Sequence, residues 1–254
     1  MGVLTMEQTE QRLEAAKFAD LARRAQRSSR AVFSEFLNPD AQQRLLALAR
    51  REGLESGLFG GSAEPERAVV GLWQPGCGPE DSPIDVLRIH WDARYATVQH
   101  RDVLGACLGL GIERETLGDI RIKEDQAFVA VLPAMGAYLL SGLTSVGRAS
   151  VKVEYYDGEL PDAEAGERAV VNVPSLRLDA VLAQTLRLSR AKTQTLIRSG
   201  AVRRNWQETD RTDAEVEEGD VLSVRGQGRV RVLRVAGESR KGRLFVEVET
   251  LLKP

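Results

Sequence analysis

The stretch from residue 84 to residue 157 constrains the fold more than any other part of the chain, because strand-like and helix-like segments alternate in a fixed order. Alternating apolar and polar residues indicate strands, and apolar residues three and four apart indicate helices. The two central strands have almost no linker between them, so we expect a hairpin. The predicted strands are 84–91, 119–125, 127–133 and 149–157, and the predicted helices are 100–111 and 134–147.

This β-α-β-β-α-β order predicts a ferredoxin-like middle domain, assigned to residues 82–158. Many proteins of that topology bind RNA on the open face of the sheet, but others do not. Phe128 is the only aromatic residue on the predicted hairpin, so the set of aromatic side chains that commonly stacks on RNA bases is missing. The pattern therefore predicts the topology of this domain and leaves its RNA binding open.

Composition divides the rest of the chain into an N-terminal helical or αβ region and a C-terminal domain. Together with the middle domain, these two parts predict an α+β protein of three parts. A Gly- and Pro-rich stretch at 74–83 ends the N-terminal region, assigned to residues 1–75. An acidic stretch at 158–167 is typical of a linker. In the N-terminal region we predict helical structure over 7–36, interrupted by a basic, serine-bearing stretch at 23–30, and a second helix over 39–53. A loop is predicted over 57–66 and a strand over 67–73.

The C-terminal domain, assigned to residues 174–254, is predicted to hold two short helices followed by strands. Ser175 and Ser189 are the expected N-terminal caps, and Gly200 ends the second helix. The strands are expected near Val202, directly after Asp220, and in a final hairpin whose turn lies at 236–242. An apolar stripe of Leu178, Val181, Leu182 and Leu186 marks the inner side of the first helix.

Positive charge is concentrated in this domain, although the chain as a whole has a net charge of −2. Residues 175–254 hold 16 Lys and Arg against 11 Asp and Glu, whereas the rest holds 19 against 26. No acid lies between Asp179 and Glu208. The cations of that interval are Arg187, Arg190, Lys192, Arg198, Arg203 and Arg204. With apolar residues on the inner side, these cations are expected to project outward and grip structured RNA. The alternative is a solvated basic helix face.

The same segment resembles the S4 RNA-binding domain. The matching residues are Arg177-Leu178-Asp179, Ser189-Arg190, Gly200, Val202, Asn205 and Gly219-Asp220. The resemblance implies an S4-like αα-β fold in which Arg177 and Arg190 face RNA. Arg204 stands where the family usually has an apolar residue. Asp179 is expected to orient a neighbouring arginine, because a carboxylate repels phosphate.

Three further stretches resemble the YlmH-type bacterial proteins, namely Asn205-Trp206, residues 225–229 and residues 100–120. This resemblance adds Arg225 and Arg229 to the expected RNA-binding residues. It implies binding to large-subunit ribosomal RNA and to tRNA, in the rescue of obstructed subunits that still carry peptidyl-tRNA, with a quality-control factor as a further partner. It also suggests a role in cell division. Trp206 is expected either to stack on a base or to join the core of its small domain.

No catalytic residue, cofactor or metal site is predicted, so the protein is interpreted as a non-enzymatic RNA-binding protein. The string from Gly242 to Leu244 is followed by Phe245, not by the Asp of a pseudouridine synthase. The two histidines, His90 and His100, have no cysteines at metal-ligand spacing. The alternatives are an RNA-modifying enzyme with an unrecognised active site, or a cell-division factor that binds proteins through its acidic N-terminal part.

The expected location is the cytoplasm. The longest apolar run, at 127–132, is far shorter than a membrane span. Cys77 and Cys107 do not make a disulfide framework, which fits a reducing compartment.

Overall fold

The computed structural model describes residues 6–162, 166–240 and 242–252. Some predicted segments fall partly outside these residues. They are the N-terminal end of the first predicted domain, the C-terminal end of the last one, the middle of the predicted 158–167 linker and one residue of the predicted 236–242 turn. The chain divides into two compact units, the first ending at residue 163 and the second beginning at residue 164. Among the described residues, no helix combines the length and the apolar character needed to cross a membrane.

The first unit begins with two helices packed on a three-stranded antiparallel sheet of order β1-β3-β2. Its elements are α1 (Met6–Arg27), β1 (Val32–Leu37), α2 (Pro39–Arg51), β2 (Glu55–Phe59) and β3 (Ala68–Trp73). α2 begins where the sequence predicts, because the Asn38 side chain accepts a hydrogen bond from the Ala41 amide and Pro39 occupies the first turn. Leu45 and Leu72 are fully buried between the helices and the sheet.

Two predictions for this region are wrong. The helix expected to reach residue 36 ends at Arg27, and residues 32–37 form β1 instead. The loop expected over 57–66 begins inside β2. β1 pairs with β3 across a long stretch of sequence, as Val32 does with Leu72, and β2 pairs with β3 as the next strand along the chain. Pairing within the sheet therefore decides the conformation of both strands over the local pattern.

The middle of the first unit is a four-stranded antiparallel sheet with two helices on one face, of order β5-β6-β4-β9. Its elements are β4 (Asp85–His90), α3 (His100–Gly109), β5 (Leu117–Lys123), β6 (Gln126–Val131), α4 (Pro133–Gly142), a short ribbon of β7 (Ser145–Val146) and β8 (Ala149–Ser150), and β9 (Lys152–Tyr155). β6 lies between β4 and β5 and runs antiparallel to both, which is the split βαβ arrangement. The predicted ferredoxin-like order is confirmed.

The other face of this middle sheet is covered by the N-terminal sheet of the same unit. Phe128 and Ala130, on the central strand β6, are buried with Phe36 and Val69 of the N-terminal sheet. This is the face on which ferredoxin-like RNA-binding proteins carry their aromatic side chains. Phe128 therefore serves the core here and is not available to stack on a base.

A buried polar contact holds the two sheets together. The Asp119 carboxylate accepts hydrogen bonds from the backbone amides of Glu66 (2.8 Å) and Arg67 (3.0 Å). The Arg67 guanidinium in turn donates to the carbonyl oxygen of Phe36 (2.7 Å). Since Asp119 is only 5% exposed, these bonds satisfy a carboxylate that would otherwise be costly to bury.

The second unit is a six-stranded antiparallel sheet of order β10-β15-β14-β13-β11-β12, with two short helices on one face. Its elements are β10 (Glu167–Val173), α5 (Leu178–Thr185), α6 (Arg190–Arg198), β11 (Val202–Arg204), β12 (Gln207–Glu208), β13 (Val221–Val224), β14 (Gly228–Glu238) and β15 (Leu244–Leu252). Leu178, Val181 and Ile197 of the helices pack on Val230 and Val246 of the sheet. The predicted α+β class is confirmed.

Two details of the second unit differ from the sequence predictions. Residues 167–173, which include the end of the expected linker, form β10 and pair with β15 at the edge of the sheet. Ser175 does not cap α5; the cap position is Arg177, whose backbone is extended and whose side chain makes no capping bond. Strand β10 alternates weakly, since only Val171 and Val173 face the core, so its sequence resembles a linker.

Candidate nucleic-acid interface

The helix pair α5–α6 turns its polar side away from the sheet. Leu178, Val181, Leu182 and Ile197 are fully buried under the pair, so the basic residues of these helices face solvent. The Ser189 hydroxyl accepts a hydrogen bond from the Lys192 amide at 3.3 Å, which fixes Arg190 as the first residue of α6, as predicted.

Asp179 lies at the centre of the polar side and binds three side chains. Its Oδ1 accepts from Arg177 Nε at 3.1 Å and from Arg190 Nη2 at 3.1 Å, and its Oδ2 accepts from Gln194 Nε2 at 2.7 Å. The Asp179 side chain is fully buried, whereas those of Arg177 and Arg190 are 39% and 52% exposed. The carboxylate thus holds both guanidinium groups at the surface while staying hidden itself, which is the orienting role expected from the sequence.

The Asp179 carboxylate is also held in its charged form. Burial raises its pKa, but the hydrogen bonds from Arg177, Gln194 and Arg190 outweigh burial and lower the pKa from 3.8 to about 2. Asp179 is therefore ionised at any physiological pH. The two arginines keep a fixed anionic partner on their inner side and direct their remaining N–H groups outward.

Three more predicted residues join Arg177 and Arg190 on this side of the unit. Arg187, Lys192 and Arg198 are exposed, and within the described residues none of them makes an ion pair. Arg187 follows Leu186, the C-cap residue of α5, and has a positive φ of 54°, so it turns the chain sharply between the helices. We call the five residues Arg177, Arg187, Arg190, Lys192 and Arg198 the helix-side surface.

Three other predicted residues lie in a separate place, the sheet-side cleft. Arg203, Arg225 and Arg229 line this cleft of about 540 Å³, together with Ser223 and Leu251 and with small residues at 200–201, 226 and 228. The cleft lies at the end of the sheet where β13 turns into β14. The structure therefore does not place the predicted arginines on one continuous helix face.

Arg204 belongs to neither group. Its Nε donates to Asp220 Oδ2 at 2.7 Å, its Nη2 lies 3.5 Å from Glu217 Oε1, and its side chain is 25% exposed. Successive side chains of a strand point to opposite faces of the sheet. Because Arg203 faces outward, Arg204 faces inward, which explains its low exposure. An inward position also suits the apolar residue that the family usually has here. Contact between Arg204 and RNA stays a prediction, with less of the side chain available for it.

Asn205 and Trp206 form a two-residue turn between β11 and β12, with φ of 48° and 67°. Both central residues of such a turn need positive φ, which Gly adopts easily and Trp does not. The Asn205 side chain braces the turn by donating to Asp220 Oδ1 (2.7 Å) and accepting from the Val221 amide (2.9 Å). Trp206 is half-buried, so both expected roles, base stacking and packing, stay predictions.

Sequence reasoning missed two polar members of these surfaces. Gln194 lies one helical turn after Arg190 and shares its carboxylate partner, a relationship that the i, i+4 spacing could have revealed. Ser223 lies between two cleft arginines on neighbouring strands, which only the strand register shows.

The described residues show no arrangement typical of a catalytic or metal site. No group of three or more His, Cys, Asp and Glu among them could hold a metal ion. Burial raises the pKa of the Cys107 thiol to about 11, so it is a poor nucleophile.

His90 Nε2 lies 2.9 Å from Glu154 Oε1, and Arg88 also binds this carboxylate. These hydrogen bonds, from His90 first and then Arg88, lower the pKa of Glu154 from 4.5 to about 2.

Comparisons with known proteins agree with this architecture. A model of the putative RNA-binding domain in YlmH matches residues 78–159, and a model of the S4 domain matches residues 176–222. Ribosome-associated protein quality control protein P2 of Bacillus subtilis is 32% identical over 229 residues, which cover 88% of this chain and 89% of that protein. A solved structure named cell division protein ylmH from Streptococcus pneumoniae aligns with a TM-score of 0.52 at 25% identity, covering 61% of this chain and 96% of that chain.

The extent of these matches settles the family. The B. subtilis relative aligns over nearly the whole of both chains, and the two domain models fall on the middle sheet of the first unit and on the helix pair of the second. The helix-side surface lies inside the S4 match. This chain belongs to the YlmH family of RNA-binding proteins that carry an S4 domain.

Proposed function

We propose that this protein binds structured RNA of the large ribosomal subunit together with tRNA, and that it acts in quality control of obstructed subunits that still carry peptidyl-tRNA. The name of the B. subtilis relative, a ribosome-associated quality control protein, supports this setting. We further propose that the protein acts by binding, without catalysis, and that another quality-control factor joins it there. Both matched domain models describe RNA-binding modules, which supports a binding role.

The observation that carries this proposal is the buried carboxylate of Asp179 beneath two exposed arginines. Guanidinium groups that are fixed before RNA arrives lose less conformational entropy on binding than free side chains do. A planar guanidinium also donates two parallel hydrogen bonds to a phosphate, with a geometry that a lysine cannot reproduce. Fixed positions suit recognition of a folded RNA by the shape of its backbone.

The charge of the second unit supports the same role. Its excess of basic residues, set against an acidic remainder, attracts the RNA backbone to this part of the chain. Arg187, Lys192 and Arg198 surround the two fixed arginines on the helix-side surface. Contacts between basic side chains and phosphates determine how the domain is positioned on RNA, and the folded structure of the RNA supplies the specificity.

Cofractionation with ribosomes tests the proposal. Tagged wild-type protein and an Arg187→Ala/Arg190→Ala variant would be expressed in cells, and ribosomal subunits would be separated on a density gradient. We expect the wild type in the large-subunit fractions with bound tRNA, and the variant mostly in the free fractions. An Arg240→Ala variant is the control, since Arg240 is an exposed cation in the β14–β15 turn and belongs to neither basic surface. Wild-type protein found only in the free fractions would overturn the proposal.

A second candidate function, in cell division, is favoured by the name of the S. pneumoniae structure. The same variants separate the two roles in a strain that lacks the gene. If division defects are restored equally by the wild type and by the Arg187→Ala/Arg190→Ala variant, division does not depend on the helix-side surface.

A further inference from the structure

Helices α1 and α2 of the first unit end on the same side, and both ends are basic. Glu14 Oε2 of α1 lies 2.6 Å from Arg44 Nη2 of α2. Near the end of α1, Gln26 Nε2 donates to Glu52 Oε2, directly after α2, at 3.3 Å. Since these contacts join earlier positions to earlier ones and later positions to later ones, the helices run in the same general direction. The basic residues at this end, which we call the arginine cluster, are Arg23, Arg24, Arg27, Arg30, Arg50 and Arg51.

Side-chain hydrogen bonds hold the backbone that carries the cluster. Gln74 Nε2 donates to the carbonyl oxygens of Gln26 (2.8 Å) and Ser28 (3.3 Å), where the end of α1 leaves carbonyl groups without partners inside the helix. The Ser28 hydroxyl accepts from the Arg30 amide at 3.0 Å. The chain therefore leaves α1 along a fixed path, and ordered backbone presents Arg27 and Arg30 to solvent.

Acidic residues compensate only a small part of this charge. No Asp or Glu lies between Asp20 and Glu35 in the sequence. All six arginines of the cluster are exposed. Arg23 lies 3.3 Å from Asp20, and Arg51 lies 3.2 Å from Glu52. The other four make no ion pair within the described residues. Positive charge thus collects in one place on a part of the chain that carries more acids than bases overall.

The helix dipole alone does not account for these arginines. A helix favours basic residues in its last turn, and four of the six occupy such positions in α1 and α2. However, the described helices α3, α4 and α5 end without a basic residue in the last turn, so the fold does not require one. Arg23 comes before the last turn of α1 and Arg30 lies beyond the helix. The cluster therefore extends past the positions that the dipole favours.

The chemistry of the cluster fits the backbone of double-stranded RNA. A guanidinium group donates two parallel hydrogen bonds to a phosphate, and an RNA duplex is recognised mostly through its shape, its phosphates and its hydroxyls. Residues 23–30 and 50–52 include no aromatic side chain, on which the bases of a single strand commonly stack. These segments also expose no large apolar side chain of the kind that anchors a protein interface.

We propose that the arginine cluster of the first unit binds the phosphate backbone of a double-stranded RNA segment. The cluster lies before residue 78, where the match to the putative RNA-binding domain begins, and outside the S4 match. The inference rests on the proposed function, since it adds a further contact with structured RNA to a protein that binds RNA through its second unit. The N-terminal helices then supply an RNA contact that the buried face of the middle sheet cannot.

A fluorescein-labelled RNA hairpin with a fully paired stem tests the cluster. The parent is the full-length Arg187→Ala/Arg190→Ala chain, in which the helix-side surface contributes little. Adding Arg27→Ala/Arg50→Ala removes one cation from each helix, and we expect at least tenfold weaker binding. The log–log salt slope should fall by about 1.8, because two contacts with duplex phosphates are lost. The matched control, Arg12→Ala/Arg148→Ala, removes the same charge from exposed positions of the same unit and should change affinity less than twofold. Circular dichroism checks that each variant is folded.

Competition with unlabelled polymers at equal charge identifies the occupant. If single-stranded decauridine displaces the labelled hairpin as well as the unlabelled hairpin does, the duplex assignment is overturned. Equal displacement by polyglutamate would show that the cluster takes acidic chains in general, which overturns the RNA assignment. The cluster is only a solvated surface if the parent does not bind the hairpin, or if folded Arg27→Ala/Arg50→Ala binds it like the control. Large-subunit cofractionation of the wild type is measured in parallel. Because the hairpin assay contains no ribosome, failure of the proposed function is seen separately.

Discussion

Arg190 Nη2 lies 3.1 Å from Asp179 Oδ1, and the two side chains differ completely in exposure, since Asp179 is fully buried and Arg190 is half exposed. The pair joins the start of α6 to the first turn of α5 across eleven residues. A carboxylate at an RNA-binding surface would repel phosphate if it were exposed. Its burial under two arginines and Gln194 leaves only donors for an approaching RNA.

This relationship predicts that Asp179→Asn weakens RNA binding although it removes a negative charge. The amide oxygen keeps one acceptor, but the charge that fixes Arg177 and Arg190 is lost, and we expect about a tenfold loss of affinity. The control is Asp213→Asn, which removes an exposed acid of the same unit and should leave binding equal or slightly stronger. Filter binding with ribosomal RNA measures both. Tighter binding by a folded Asp179→Asn variant would show that Asp179 acts only through its charge.

Strand β10 predicts where a stable RNA-binding fragment must begin. A fragment from 166 to 254 keeps β10, whereas one from 175 removes it together with the buried Val171 and Val173. Losing their burial costs about 3–6 kcal/mol, a large share of the stability of a small domain. We expect the longer fragment to melt cooperatively and to keep most RNA affinity, and the shorter one to be largely unfolded. Equal melting temperatures would show that β10 is dispensable and would favour the predicted boundary at 174.

Local signals in the sequence were enough for part of the fold. The middle domain could be predicted because its helices and its hairpin have regular periods and adjacent partners. Strands β1 and β10 could not, since each depends on pairing with a distant strand, such as Val173 with Leu244. Their own residues carry too weak an alternation to reveal that pairing.

The candidate site divides in the same way. Arg177, Asp179 and Arg190 could be predicted as a group, because the resemblance to the S4 domain assigns the two arginines to the RNA side and the carboxylate is expected to orient a neighbouring arginine. The row of Arg203, Ser223 and Arg229 needs the strand register, which turn geometry sets and a single sequence does not show. The opposite orientations of Arg203 and Arg204 follow from the same register.

Burial of Cys107 predicts a difference in reactivity between the two cysteines. Cys107 belongs to α3 and is fully buried, and burial raises its thiol pKa to about 11, so almost no thiolate is present at pH 8. Cys77 is partly exposed in the loop after β3. A thiol reagent at pH 8 should therefore modify one cysteine in the native protein and two in denaturant, and none in native Cys77→Ser. Rapid native modification of Cys107 would contradict the packing of the middle domain.

The proposed role in binding without catalysis predicts that the protein leaves RNA chemically unchanged. Nucleosides from ribosomal RNA and tRNA of cells with and without the gene should give identical mass-spectrometric profiles. Purified protein incubated with both RNAs should add or remove nothing. One modified nucleoside that disappears reproducibly with the gene, and returns when the gene is restored, would establish the enzymatic alternative.

Arg190 is the single residue on which we expect RNA binding to depend most. It begins α6, beside backbone amides that have no partner within the helix, and Asp179 fixes its guanidinium. Losing one charge-assisted contact costs about 1.5–3 kcal/mol, so Arg190→Ala should bind ribosomal RNA one to two decades more weakly. The fold should survive, because Asp179 keeps its bonds from Arg177 and Gln194.

The comparison of Arg190→Ala with Arg190→Lys separates charge from geometry. A lysine keeps the cation but loses the planar fork that binds Asp179 and phosphate together, so its affinity should lie between those of the wild type and the alanine variant. The log–log salt slope should fall by somewhat under one for alanine and stay nearly unchanged for lysine. Affinities measured at several salt concentrations, with circular dichroism on each variant, give both quantities. If folded Arg190→Ala keeps the wild-type affinity and slope, the helix-side surface is merely solvated and the RNA contact of this unit lies elsewhere.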